Sequence, residues 1–267
     1  MTVIAAMKVE RFMQEPRKYS FVIRNTETDV EDTLHLQALF SMLQESASTD
    51  AAVYGWGADR MDSLGLCWLL TRISLRMKKM PSWQNTIFVE TWSRGPDRLF
   101  FLRDFIIWSS EGEKLGIASS MWIVVDKENH RPVRPDAIME YSKISSDHRK
   151  VFDFTPPKLT PFSDADCGSV HEGESTLVKY ADFSEIDRNK HVNNTRYIAW
   201  CVDAFYKDKE NLQRISGVDI NFLSEIYFGS KIHLFSNSES AGGTQIDGYV
   251  SGSQKPAFSA VLYTGEV

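Results

Sequence analysis

Three cysteines in 267 residues, Cys67, Cys167 and Cys201, are too few and too far apart for a disulfide framework, and no CxxC pair occurs. An odd, scattered set of thiols fits a reducing compartment. The longest apolar run, residues 64–70, is broken by Gly65 and falls well short of the roughly 20 residues that cross a bilayer. Residues 1–15 hold no apolar core of signal-peptide length and are not rich in Arg and Ser. The expectation is a cytoplasmic protein with no membrane association. There is no GxGxxG loop after a strand, no P-loop, no HExxH and no metal-type cysteine spacing, so neither a cofactor nor a metal is expected. The Gly-x-Ser-x-Gly elbow of the α/β-hydrolases is missing too. A formal net charge of -6 excludes a general attraction to nucleic acid or anionic lipid.

What is present suits a sizeable core. Hydrophobic residues make up 42% and charged residues 25%, ordinary for one large globular domain or two smaller ones. Leu36, Leu39, Phe40, Leu43 and Ala47 recur at helical spacing, with Glu31, Asp32 and Thr33 ahead of them as a helix start. Leu69, Thr71, Ile73, Leu75 and Met77 alternate with Arg72, Ser74, Arg76 and Lys78, a half-buried strand with one basic face that Pro81 stops. Strands are predicted near 85–93, 99–109 and 114–126, with turns at Gly95-Pro96 and Glu111-Gly112. Pro156, Pro157, Pro161, Gly168 and Gly173 then mark a linker over about 150–173.

The second half repeats the order: a strand at 176–180, a helix at 194–206 with Tyr197, Ile198, Cys201, Ala204 and Phe205 on one face, and strands near 218–226, 231–237, 244–251 and 257–263. The pattern predicts an α+β duplication: an N-terminal unit at 1–149, the linker at 150–173 and a C-terminal unit at 174–267. Each unit would wrap an antiparallel sheet around its own helix, and pairing the two sheets would hide their edges.

Chemistry concentrates at Asp187-Arg188-Asn189-Lys190-His191-Val192-Asn193-Asn194, between a strand and a helix. Asn193 and Asn194 are N-cap residue types, which places His191 just outside the positive end of a helix. A carboxylate, an amide and an imidazole there can position water, hold a carbonyl and move protons. The same residue types also serve as ordinary loop and capping residues.

His191-Val192-Asn193-Asn194 followed by Tyr197 and Trp200 resembles the signature of plant and bacterial acyl-ACP thioesterases. The resemblance continues through Trp68-Leu69-Leu70-Thr71-Arg72, Pro81-Ser82-Trp83, Glu90-Thr91-Trp92, Arg103-Asp104-Phe105 and Ser120-Met121-Trp122. It implies a double hotdog fold, two helix-wrapped antiparallel sheets in tandem, and hydrolysis of acyl-ACP to fatty acid and holo-ACP. The partner implied is acyl carrier protein bearing the acyl chain on phosphopantetheine, with pairing of the chain into a homodimer left open.

Asp187, Asn189 and His191 match the family's catalytic positions, and Glu225 matches its further acid. Plant members carry a cysteine directly after that acid, where this chain has Ile226. The expected nucleophile is therefore water, with Glu225 or Asp187 as base, His191 orienting it, and Asn189 with backbone amides holding the carbonyl. Cys201 falls on the apolar helix face as core filling, Cys67 at a strand start and Cys167 in the linker.

The basic face Arg72, Arg76, Lys78 and nearby Lys79 reads either as a solvated strand face or as a dock for an acidic carrier. His35 is the expected counterpart of His191 in a first half that has lost its site. Rival functions are an acyl-CoA thioesterase of the same fold, a hotdog 3-hydroxyacyl dehydratase and a non-catalytic carrier-binding module.

Overall fold

A computed structural model describes residues 16–138, 149–162, 175–207, 213–240 and 243–265. Cys167, Gly168 and Gly173, and with them the later part of the expected linker, lie outside these. The elements are β1 (Arg17–Val22), α1 (Leu36–Val53), α2 (Ala58–Ser63), β2 (Leu66–Met77), β3 (Thr86–Asp97), β4 (Phe100–Ser109) and β5 (Lys114–Asp126) in the first half. In the second they are β6 (Leu177–Tyr180), α3 (Asn194–Tyr206), β7 (Ile215–Phe222), β8 (Lys231–Ser240), β9 (Gly243–Val250) and β10 (Phe258–Thr264). The strands form one ten-stranded sheet in the order β1-β3-β4-β5-β2-β7-β10-β9-β8-β6. Each half thus contributes five neighbouring strands, and the two sheets join edge to edge where β2 runs antiparallel to β7 from Arg72↔Asn221 to Arg76↔Gly217. This central pairing removes one open edge from each half.

Alternation along the strands explains how the sheet holds its helices. Ile73, Leu75, Phe105, Ile107, Val218, Ile220, Ile246 and Phe258 point to the face that carries α1 and α3 and close one continuous core with Leu39, Leu43, Ile198 and Cys201. The opposite face is lined by Asp104, Arg76, Asp219, Asn221, Asp247 and Ser259, and most of this polar row is buried. Residues 149–162 cover it as a strap. Val151 N donates to Asp104 Oδ2 at 3.0 Å, Leu159 N to Asn221 Oδ1 at 2.9 Å and Phe162 N to Asp247 Oδ2 at 2.6 Å. Those side chains supply the strap's backbone with partners that no strand offers it.

Burial pushes the Asp104 and Asp247 carboxyls above the ordinary carboxylate value, against the lowering effect of their hydrogen bonds. A folded-state value above the unfolded one means the folded chain holds the proton more tightly. The associated stability is complete below the unfolded value and is lost as pH rises through the folded one. Asp104→Asn keeps an acceptor for Val151 N, so it is expected to gain on the wild type as pH climbs from about 4 to 7. Thermal midpoints across that range check this, and a difference flat in pH would contradict it.

Several local expectations change. Gly95 and Pro96 lie inside β3, not in a turn: a bulge after Ser93, with Gly95 at φ 83°, lets the strand continue to Asp97, and the turn falls at Arg98 with φ 58°. The short helix α2 is additional. Strand β7 ends at Phe222, so Glu225 sits in a loop rather than on a strand.

Candidate active site

From β6 the chain passes through a 3-10 turn, Phe183–Glu185, into the loop before α3. That loop is a tight turn built on Asp187. Asp187 N donates to His191 O at 2.8 Å, and Lys190 N donates to Asp187 O at 3.0 Å. Lys190 takes a left-handed φ of 68°, a cost for a non-glycine residue that these bonds offset. Asp187 Oδ1 accepts from Asn189 N at 2.7 Å and from His191 N at 3.4 Å. Asn193 is the N-cap of α3 and accepts from Thr195 N at 2.9 Å.

The turn presents His191 to the loop after β7. The backbones meet through an isolated bridge, His191↔Tyr227, and Val192 N donates to Ile226 O at 2.8 Å. His191 Nε2 lies 3.3 Å from Glu225 Oε2, with the two side chains only 20% and 29% exposed. Tyr227 donates its hydroxyl to the same oxygen at 2.9 Å and sets its ring edge-to-face against the imidazole, centroids 5.0 Å apart. The Glu225 carboxylate beside it raises the Tyr227 phenol above its ordinary value.

The structure brings two of the expected site residues, His191 and Glu225, into contact beside the N-cap, and adds Tyr227, which the sequence does not single out. Its position two residues after Glu225 was the available signal. Asn189 is exposed at the tip of the turn, and Asp187 commits one oxygen to backbone donors. The first half also reaches the site: Arg188 Nη2 donates to Asp62 Oδ2 of α2 at 2.7 Å. The Cys67 thiol, at the start of β2, is raised mainly by burial, with Glu225 contributing. Cys201 is fully buried and its thiol is pushed well up by burial. Neither environment favours a thiolate.

The first half holds a twin of this loop, bond for bond. Asp29 N donates to Thr33 O at 2.8 Å, Asp32 N to Asp29 O at 3.1 Å and Leu34 N to Pro81 O at 2.9 Å. Asp32 takes the left-handed φ, and Thr33 bridges Ser82. Asp29 therefore stands for Asp187, Glu31 for Asn189, Thr33 for His191, Met80 for Glu225 and Ser82 for Tyr227. His35 is not the counterpart of His191: it occupies the N-cap place of Asn193. The aspartate persists where the chemistry does not, which identifies turn formation as one of its roles.

The expected basic face of β2 divides: Lys78 and Lys79 are exposed, whereas Arg72 and Arg76 are partly buried and hold contacts within the fold. Arg76 spans the junction of the halves in a bidentate pair with Asp219, at 3.0 and 2.8 Å, with its guanidinium 4.3 Å over the Tyr263 ring. Arg72 reaches Pro156 O of the strap at 3.5 Å. At about 3.3 Å per residue, Arg76 lies roughly 30 Å along β2 from Cys67 and the site. Arg76→Ala is expected to cost roughly 1–3 kcal/mol of stability while leaving KM for a carrier-bound substrate unchanged. Denaturant melts alongside steady-state kinetics measure both.

Two neighbouring five-stranded antiparallel sheets, joined edge to edge and each carrying a helix on the same face, define this molecule as a double hotdog protein. Residues 15–141 match the family model for the acyl-ACP thioesterase N-terminal domain, and residues 170–257 match that for the C-terminal domain. The chain belongs to this family. An oleoyl-acyl carrier protein thioesterase of Arabidopsis thaliana is 23% identical over 257 residues, covering 87% of this chain and 66% of that protein. A palmitoyl-acyl carrier protein thioesterase of Gossypium hirsutum is 27% identical over 213 residues, covering 76% and 50%. The chain thus spans about half to two thirds of the length of the curated relatives it matches. An acyl-ACP thioesterase structure from Bacteroides thetaiotaomicron superposes with a TM-score of 0.80 at 24% identity, covering 93% of this chain and 97% of that one. The 12:0-ACP thioesterase of Umbellularia californica gives 0.79 at 19%, covering 94% and 97%. These likenesses establish the fold. Among the described residues no helix is long and apolar enough to cross a membrane.

Proposed function

We propose that the chain hydrolyses the thioester of a fatty acyl chain carried on acyl carrier protein, releasing free fatty acid and the holo-carrier thiol. The observation that carries this reading is the 3.3 Å contact between His191 Nε2 and Glu225 Oε2 beside a helix start, in a chain of this family. In this reading Glu225, aligned by His191, takes a proton from water as the water oxygen bonds to the carbonyl carbon. The carbonyl π electrons move onto oxygen, where Asn189 and the positive end of α3 face the oxyanion. Collapse of the adduct breaks the C–S bond, and the departing thiolate takes up the proton. Such a leaving group needs little acid assistance, which suits a site with one acid–base pair.

Asp187 shapes the turn that presents His191. Asp187→Asn can keep the same backbone bonds, so the rate it loses measures what its second oxygen adds. The division of labour follows the halves: 174–267 brings the reacting groups and 1–149 the acyl pocket. A cavity of about 50 Å³ lined by Ala47, Ala51, Trp68, Phe101, Arg103 and Trp122 lies in the first half and supports this assignment. Matched acyl-ACP and acyl-CoA substrates test the reading. A higher kcat/KM on acyl-ACP is expected; preference for CoA would favour the acyl-CoA thioesterase, and absence of thiol release would favour a dehydratase.

A further inference from the structure

Large apolar side chains stand in solvent beside the site. Phe183 is 80% exposed, Phe228 63%, Tyr227 53% and Leu223 46%. Phe183 and Phe228 come from the 3-10 turn and the loop after β7, and meet edge-to-face with centroids 6.2 Å apart. Gly229 N donates to Ala181 O at 2.9 Å and Asn193 N to Glu185 O at 2.9 Å, which ties both segments to the start of α3. Tyr227, in contact with His191 and Glu225, links the pair of rings to the reacting groups.

The twin loop shows that the fold does not need these rings. The matching turn, Asn25–Glu27, has Asn25 where Phe183 stands, and Ser82 where Tyr227 stands. Lys78 stands for Leu223, and only Phe228 keeps an aromatic counterpart, Trp83. The same backbone therefore forms with polar residues at most of these places. Exposed aromatic area costs solubility, and three such rings gather beside His191 and Glu225 against Trp83 alone, 44% exposed, at the twin loop, so the patch calls for a partner.

We propose that the Phe183–Phe228 surface is where the body of the acyl carrier docks while its prosthetic arm enters the site, an inference that rests on the function proposed above. A carrier that delivers its thioester to His191 must sit on the rim around that mouth, and this patch is that rim. Exposed Lys190 stands on the neighbouring turn beside Arg188, whose side chain is 63% exposed while it pairs with Asp62, and both offer positive charge to an acidic carrier helix. A free pantetheine thioester has no apolar face to cover two phenylalanines.

The test is a Phe183→Asn, Phe228→Ser double variant, the first change installing the residue its twin already uses. KM for acyl-ACP is expected to rise about tenfold or more, with kcat/KM on the matching acyl-pantetheine within twofold of wild type. An unchanged KM for acyl-ACP overturns the proposal. So does an equal loss on acyl-pantetheine, which would assign the rings to the site itself, or a change from dimer to monomer on size exclusion, which would assign them to a second copy. A wild-type chain inactive on acyl-ACP overturns the parent function, and is seen before any variant is made.

Discussion

Alanine at His191 is expected to lower kcat for acyl-ACP hydrolysis by about 10²–10⁴-fold, with Glu225→Gln falling in the same range. The two side chains share one contact, His191 Nε2 to Glu225 Oε2, so removal of either dismantles the same acid–base unit. The losses should accordingly be far from additive: the double variant is expected to be little worse than either single one. Stability should change little, because both side chains are partly exposed and the turn that carries His191 is closed by backbone bonds and Asp187. Cys201→Ser or Cys67→Ser should leave most of the rate intact, since neither thiol has the surroundings of a nucleophile. Loss of activity in a cysteine variant, with activity kept in His191→Ala, would replace water attack by an acyl-enzyme route.

The largest effect on stability is expected at a different charged pair. Arg103 and Asp50 are 4% and 1% exposed, with Arg103 Nη1 2.8 Å from Asp50 Oδ2 and 3.1 Å from Thr91 Oγ1. This pair pins α1 to β4 on the helix side of the sheet. Asp50→Ala removes the carboxylate that faces the buried Arg103 guanidinium and is expected to cost about 3–5 kcal/mol. In a chain of this size that corresponds to a fall in thermal midpoint of roughly 6–20 °C. Replacing both members, Asp50→Leu with Arg103→Met, is expected to recover part of the loss, because the two most buried charges leave together while Arg17, 3.7 Å from Asp50, loses its ion pair. Calorimetry on the two variants checks both statements.

The sequence showed the architecture where one face of an element is buried and the other is not. The 3.6-residue spacing in α1 and α3 survives intact, and the alternation along β2 holds from Ile73 to Met77, but a bulge at Thr71 puts Leu70 rather than Leu69 in the core. It misled where a residue type has two uses. Gly95-Pro96 reads as a turn pair, yet a bulge absorbs both inside a strand. The cations of β2 read as a wet face, yet Arg72 meets the strap at Pro156 O and Arg76 pairs with Asp219, while Lys78 stays exposed. A strap's path depends on contacts between distant residues, which no local pattern records.

The site was legible in the same uneven way. His191 beside an N-cap follows from local capping chemistry. Its partner Glu225 came through family resemblance, and the contact itself needs the loop after β7 to fold back through the His191↔Tyr227 bridge. By residue type, His35 is the expected twin of His191, since it is the histidine in the connection before the first helix. The hydrogen-bond pattern instead aligns Thr33 with His191, and only the paired loops in three dimensions reveal that offset.

The most direct test of the central claim is a thiol and product count on a mixed acyl-ACP pool, with wild type beside Glu225→Gln. The account predicts one holo-carrier thiol for each free fatty acid from the wild type, and at most about a hundredth of that rate from the variant. No thiol release from the wild type, or equal release by both chains, would contradict it.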